Sequence, residues 1–172
     1  MELYLEPADP PHTYTFVRPN SSVDALPGLR LAAFADLRQH ITNTIHRPHA
    51  IQKCVVDTGA FLSIIPSRVA QYLDTATITW LPFHSSFPVG LQVLVIAGGS
   101  VPYELGELSA RLRDKRGNVI DIRFVAKFTR DGGTLNIPLT LGLRGGFPEG
   151  RTLSATPDAT EPFGAIWTLA NP

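Results

Sequence analysis

Apolar and polar positions alternate most clearly between residues 108 and 128. Leu108, Ala110 and Leu112 are separated by polar residues, and Ile120, Ile122, Phe124, Ala126 and Phe128 resume the pattern after Lys115-Arg116-Gly117-Asn118. A period of two gives each strand one dry and one wet face, so this stretch predicts a β-hairpin turning at 115–118. A second hairpin is expected upstream, where Leu37, Ile41 and Ile45 lead through a turn at Arg47-Pro48-His49 into a strand over Ile51–Val56. After Ser63, Pro66 stands where a first helical turn tolerates proline. Val69, Tyr72 and Leu73 share one side of the segment that follows, which predicts a short helix. Asp131-Gly132-Gly133 marks a turn, Ile137–Leu143 an apolar segment and Ala165–Leu169 a terminal strand.

Fifteen prolines and fourteen glycines cut the chain into short pieces, and the grain of the sequence is all-β. Residues 1–28 carry five of the prolines and read as an irregular or partly extended arm, which leaves 29–172 as one domain. Fifteen basic residues balance fifteen acidic ones, so no global field steers nucleic acid or an anionic membrane to the protein. The single Cys54 sits inside an apolar run and reads as a small buried hydrophobe, which fits a reducing compartment. The first residues lack the basic and apolar regions of a secretory signal, and no apolar window approaches the ~20 residues of a membrane-spanning helix. A cytoplasmic, soluble protein is expected.

Candidate chemistry concentrates at Lys53-Cys54-Val55-Val56-Asp57-Thr58-Gly59-Ala60-Phe61-Leu62-Ser63, where a hydrophobic run ends abruptly on an acid, a hydroxyl and a glycine. Alone, Asp-Thr-Gly is a short word, and most Asp-x-Gly triplets are ordinary turns in which the acid caps the backbone. Context adds weight, because an ionisable group at the end of a buried strand is costly unless hydrogen-bonded or functional. The histidines at 12, 40, 46, 49 and 84 lack paired cysteines or a helical His-x-x-x-His and read as solvated rather than metal-binding. Cys54 has no histidine in a predictable pairing, which argues against a thiol nucleophile. An Asp-x-Gly after a strand also opens the phosphate loop of sugar kinases and actin-like ATPases, but those need two larger domains.

Val55-Val56-Asp57-Thr58-Gly59-Ala60-x-x-Ser63 resembles the signature of retropepsins, the aspartic proteases of retroviruses and their single-domain cellular and bacterial relatives. Two further elements follow in the family's order. Ile96-Ala97-Gly98-Gly99-Ser100-Val101-Pro102 resembles the glycine-rich tip of the flap hairpin, followed by an exit strand over Leu105–Leu112. Ile137-Pro138-Leu139-Thr140-Leu141-Gly142 resembles the hydrophobic-hydrophobic-Gly motif that packs beside the catalytic loop. The resemblance spans residues from about 35 to 147.

It implies a closed, irregular β-barrel of the acid protease type, with a flap hairpin and one or two short helices. It also implies an aspartic endopeptidase without metal or other cofactor. Asp57 would be the catalytic acid, with Thr58, Gly59, Ala60 and Ser63 supporting its loop, Ala97, Gly98, Gly99 and Ser100 at the flap over an extended peptide, and Leu141 and Gly142 in the supporting turn. No second Asp-Thr-Gly or Asp-Ser-Gly occurs, so the resemblance implies a homodimer that brings two Asp57 carboxylates together. Thr58 would then donate its hydroxyl across the dimer axis. The chain departs from the family in placing Leu143 where an arginine usually follows the late glycine, with Arg144 one residue on. That departure supports an alternative in which the fold and dimer persist as a protein-binding or assembly module without hydrolysis. The Asp57–Gly142 spacing also exceeds that of the compact viral members, which places inserted loops most simply at Thr75–Pro88.

Overall fold

The structure is a computed structural model that describes residues 1–8, 13–17, 19–57, 59–86, 92–96, 99–131, 136–142 and 151–170. It is built mainly of β-strands: β1 (Glu2–Pro7), β2 (Thr13–Val17), β3 (Val23–Pro27), β4 (Leu29–Asp36), β5 (Ile51–Val56) and β6 (Ser63–Ile65). A single α-helical turn, α1 (Ser67–Ala70), follows. The remaining strands are β7 (Thr79–Leu81), β8 (Val93–Ile96), β9 (Gly99–Arg113), β10 (Val119–Thr129), β11 (Leu139–Leu141), β12 (Thr152–Pro157) and β13 (Ala165–Ala170).

The expected hairpin is the spine of the molecule. β9 and β10 pair antiparallel from Val119↔Arg113 to Thr129↔Tyr103, and Gly117 supplies the positive φ of 83° that their turn requires. Leu108, Ala110, Leu112, Ile122, Phe124, Ala126 and Phe128 are buried, as the alternation predicts. From this spine the pairing passes from β10 to β6, then to β11, β5 and β4. It closes on itself where Phe34–Asp36 of β4 pairs with Arg111–Arg113 of β9. Phe124, Phe128, Leu37, Ile65, Leu112, Leu139 and Leu141 fill the interior, and Cys54 lies among them. The Cys54 thiol donates to the Ala33 carbonyl, and burial pushes its pKa up to about 12. It is the small buried hydrophobe its setting predicts.

Two expectations need correction. The antiparallel partner of β5 is β4, registered Leu31↔Val56 to Asp36↔Ile51, and not a strand beginning at Leu37. Residues 38–40 and 44–49 form 3-10 turns, the second capped by Asn43, whose side chain accepts from the Ile45 amide. Leu37 and Ile41 are buried and Ile45 is exposed, so a four-residue spacing served a compact turn as readily as a strand. The segment 1–28 is likewise not irregular where described: β1 joins the main sheet between β4 and β13, and β2 and β3 form a separate antiparallel pair. Pro7 and Pro27 are the last residues of β1 and β3, positions where a strand tolerates proline. Among the described residues, no helix is long and apolar enough to cross a membrane.

One buried acid anchors the chain's start to the hairpin. Asp114 accepts hydrogen bonds from the amides of Glu2, Arg116 and Asn118 and from the Asn118 side chain, at 2.7–3.0 Å. Burial pushes its pKa up, but these bonds outweigh burial and hold the carboxyl below the ordinary aspartate value. A depressed folded-state pKa contributes stability that is present above the unfolded value of about 3.9 and lost as pH falls through the folded one. Asp114→Ala, which orphans several amides, is therefore expected to destabilise the fold by about 2–3 kcal/mol at neutral pH. In chemical denaturation the difference between wild type and variant should shrink below about pH 4. An equal difference at pH 3 and pH 7 would contradict the assignment.

Candidate active site

β5 runs through the interior on its Cys54 and Val56 side and then delivers Asp57 to the surface, where the residue is exposed. Three hydrogen bonds shape the turn. The Asp57 amide donates to the Leu141 carbonyl at 3.0 Å, the Gly59 amide donates to Asp57 Oδ1 at 2.8 Å, and the Ala60 amide returns to the Asp57 carbonyl at 3.2 Å. The backbone thus turns tightly around the carboxylate and holds one of its oxygens.

The supporting strand arrives from far along the sequence. β11 pairs parallel with β5, Leu139↔Cys54 to Leu141↔Val56, and antiparallel with β6 at Thr140↔Ile64. A three-residue strand wedged between two others is buried along its whole length. Gly142 follows, with its amide donating to the hydroxyl of the fully buried Ser63 at 3.2 Å. A Cβ at Gly142 would stand 2.5 Å from the Leu62 carbonyl carbon and 2.9 Å from the Ala60 carbonyl oxygen. Only glycine permits this approach of the two backbones. The structure therefore brings Asp57, Gly59, Ala60, Ser63, Leu141 and Gly142 into one unit. Thr58 and Leu143 lie outside the described residues.

The flap candidates fall on a hairpin. β8 pairs with β9 from Val93↔Pro102 to Ile96↔Gly99, and Ala97 and Gly98 lie outside the described residues. Gly99 and Ser100 open β9 and are exposed. Within Thr75–Pro88, residues 75–77 form a 3-10 turn and β7 pairs with β9. Trp80 and Leu81 of β7, with Pro82 and Phe83 after it, border a hollow of about 280 Å³ against Glu104 and Leu105. The Trp80 ring lies tilted against Phe128 at 5.0 Å, and the Arg130 guanidinium lies 5.7 Å over the Trp80 ring.

Asp57 stands at the edge of an open groove of about 860 Å³. Its walls are largely apolar: Leu5 of β1, Leu29 and Leu31 of β4, and Phe163 and Trp167 of the β12–β13 hairpin. Asp57 is the only acid among the described residues that line it. Phe163 and Trp167 had no signal in sequence, since their proximity to Asp57 depends on β13 pairing with β1. The histidines divide. His40 is buried rather than solvated, its Nε2–H donating to the Ser109 carbonyl and its Nδ1 lying 2.8 Å from Thr77 Oγ1. His49 stacks flat on Tyr72 at 4.2 Å, with His46 tilted against the same ring.

Comparison of the chain with family models, with curated proteins and with solved structures gives no match.

The contact at Gly142 yields a direct expectation. Gly142→Ala must push the 60–62 backbone away and is expected to destabilise the protein by about 2–4 kcal/mol. Ser63→Ala, which leaves the Gly142 amide without its acceptor, should cost about 1–2 kcal/mol. Thermal unfolding checks both, and a Gly142→Ala protein as stable as wild type would show that the two backbones are not pressed together.

Proposed function

We propose that the protein is an aspartic endopeptidase of the retropepsin type, active as a homodimer in which two Asp57 side chains form the catalytic pair. The observation that carries this reading is the Asp57 turn: an exposed carboxylate held by the Gly59 amide, on a loop tied to a parallel strand through Leu141 and Gly142. An acid that merely caps a turn does not call for a glycine pressed onto its loop from about eighty residues away. The closed run of strand pairings supports a barrel of the acid protease kind, and the β8–β9 hairpin supports a flap.

One chain holds half of the chemistry, since Asp57 is the sole acid among the described groove residues. In a symmetric dimer two such carboxylates a few ångström apart share one proton, because like charges that close cannot both ionise. The ionised member draws a proton from water as the water attacks the scissile carbonyl carbon. The protonated member hydrogen-bonds the carbonyl oxygen and takes up its developing charge. A proton then passes to the leaving nitrogen as the C–N bond breaks, and no covalent enzyme intermediate forms. The Gly59 amide keeps the carboxylate from rotating away, and the apolar groove limits the water that competes with substrate. A peptide in the groove would lie extended and pair its backbone with neighbouring strands.

Purified protein is expected to cut a denatured protein between about pH 4 and pH 6, with a pH profile belonging to the pair rather than to either acid. Asp57→Asn should lower the rate by about 10³-fold or more while leaving the dimer seen by light scattering intact. Cleavage that survives the substitution would sink the assignment. A dimer that cuts nothing would favour the assembly module.

A second expectation concerns concentration. Below the dimer dissociation constant, specific activity should fall as the protein is diluted. A monomer of constant specific activity would rule out the shared site.

A further inference from the structure

The Asp57 groove crosses the ends of four neighbouring strands. Their order in the sheet is β5, β4, β1 and β13, each antiparallel to the next. The groove therefore meets β5 at its last residues, β4 at Leu29 and Leu31 near its start, β1 at Leu5 near its end, and β13 at Ala165 and Trp167 near its start. The acid stands at one end and the β12–β13 hairpin at the other. Three strand spacings of about 4.8 Å separate β5 from β13, so the far wall is roughly 14 Å from the strand that carries Asp57. The ground between is apolar: Leu5 is registered to Leu31 and Leu31 to Val56, which sets three aliphatic side chains in one row across β1, β4 and β5.

The far wall has a particular shape. Ala165 and Trp167, two residues apart in β13, share a face with the buried Leu169, and Phe163 lines the same groove just before the strand. A small residue thus stands between two aromatic ones and leaves a notch. Its sides are held in place, since Trp167 is registered to Leu3 of β1 and to Ala155 of β12 and packs in part against the core. Phe163, Ala165 and Trp167 are all half-buried, so each keeps surface toward the groove. A side chain entering the notch meets walls that are already ordered, which lowers the cost of binding it. The complementary group is large and apolar, because flat rings and aliphatic side chains gain most by covering one another.

An extended peptide advances about 3.3 Å per residue, so the length of the groove corresponds to roughly four residues of substrate. Building on the reading of this groove as a peptide cleft, we infer that Phe163, Ala165 and Trp167 select substrates with a large apolar side chain, aromatic or leucine, roughly four residues from the bond that is cut. The β12–β13 hairpin lies outside residues 35–147, over which the sequence resembles retropepsins, so this selection belongs to an element particular to the chain. Binding energy gained at the notch acts at a distance from the chemistry, by holding the peptide along the groove while its scissile bond meets Asp57.

The probe is a twelve-residue peptide library in which each position in turn is fixed as Phe or as Gly. Mass spectrometry locates each cut, and the Phe-to-Gly ratio of cleavage rates is read at every distance from it. In wild type a position about three to five residues from the cut should favour Phe by about 10-fold or more. Trp167→Ala, which removes one side of the notch, should lower that ratio to about two or three, and Ala165→Leu, which fills the notch, should lower it to about one. The ratio compares two peptides within one preparation, so a variant that folds incompletely still reports it. Light scattering should show the same dimer for both variants, and a monomer would place these residues in the subunit interface and overturn the inference. Asp57-dependent cleavage with no such remote preference, or with one that both variants keep, would overturn the notch and leave proteolysis standing. Absence of cleavage, with fluorescently labelled Phe peptides still binding to wild type and not to Ala165→Leu, would overturn proteolysis and keep the notch. Failure of both would remove both.

Discussion

Gly142 sits with its backbone against the carbonyls of Ala60 and Leu62, closer than any side chain would allow, while its amide reaches the buried Ser63 hydroxyl. Much of the site's form depends on that contact. It lets β11 slot between β5 and β6, and the parallel β5–β11 pairing then carries the Leu141 carbonyl to the Asp57 amide. Parallel neighbours cannot be joined by a tight turn, so this pairing is made by residues far apart in the chain. The Asp57 loop is therefore held from outside itself. A carboxylate on a self-contained turn would be free to rotate with that turn, whereas this one is fixed by a strand whose three residues are all buried.

The same long-range logic assembles the surroundings. The β9–β10 hairpin forms locally and offers two edges, one taken by β6 and the other, near its turn, by β4. Closure of the pairing leaves β1 as the next strand outward, where the amide of Glu2 is held by Asp114 from the hairpin turn. β13 then adds to β1 and brings Phe163 and Trp167 to the groove that contains Asp57. Each addition satisfies backbone groups that would otherwise be exposed edges, and each moves apolar surface toward the acid. The groove results from this order of pairing, which also sets Glu6 on β1 opposite Arg30 on β4 in register.

Several elements were legible because their signals are local. The two-residue period of 108–128 identified both strands and their turn, since a strand with one dry face must alternate. The short helix after Pro66 was legible because proline suits a helix start, and Val69 and Leu73 do turn inward. Asp57 was legible as an acid abruptly ending an apolar strand. Other readings failed where a local pattern had two solutions. Leu37 and Ile41 are buried as expected, but within compact turns, because burial alone does not distinguish a strand from a 3-10 segment. The prolines of 1–28 suggested irregularity, yet two of them terminate strands instead of interrupting them. His40 resembled its exposed neighbours in sequence, and only the packing of β9 and the 75–77 turn around it made it a buried cross-link.

By itself, then, the sequence determined the β character of the chain, the spine hairpin and the position of a single acid on a turn rich in small residues. Those properties depend on period, turn chemistry and the cost of an acid at the end of a buried strand, all of which act over a few residues. Tertiary structure alone decided which strand supports Asp57 and which side chains wall the groove. The physical reason is that strand partners are chosen by burial and backbone satisfaction summed over the whole sheet. No short window of sequence contains that sum, and a contact such as Gly142 on Leu62 exists only once every intervening strand is in place.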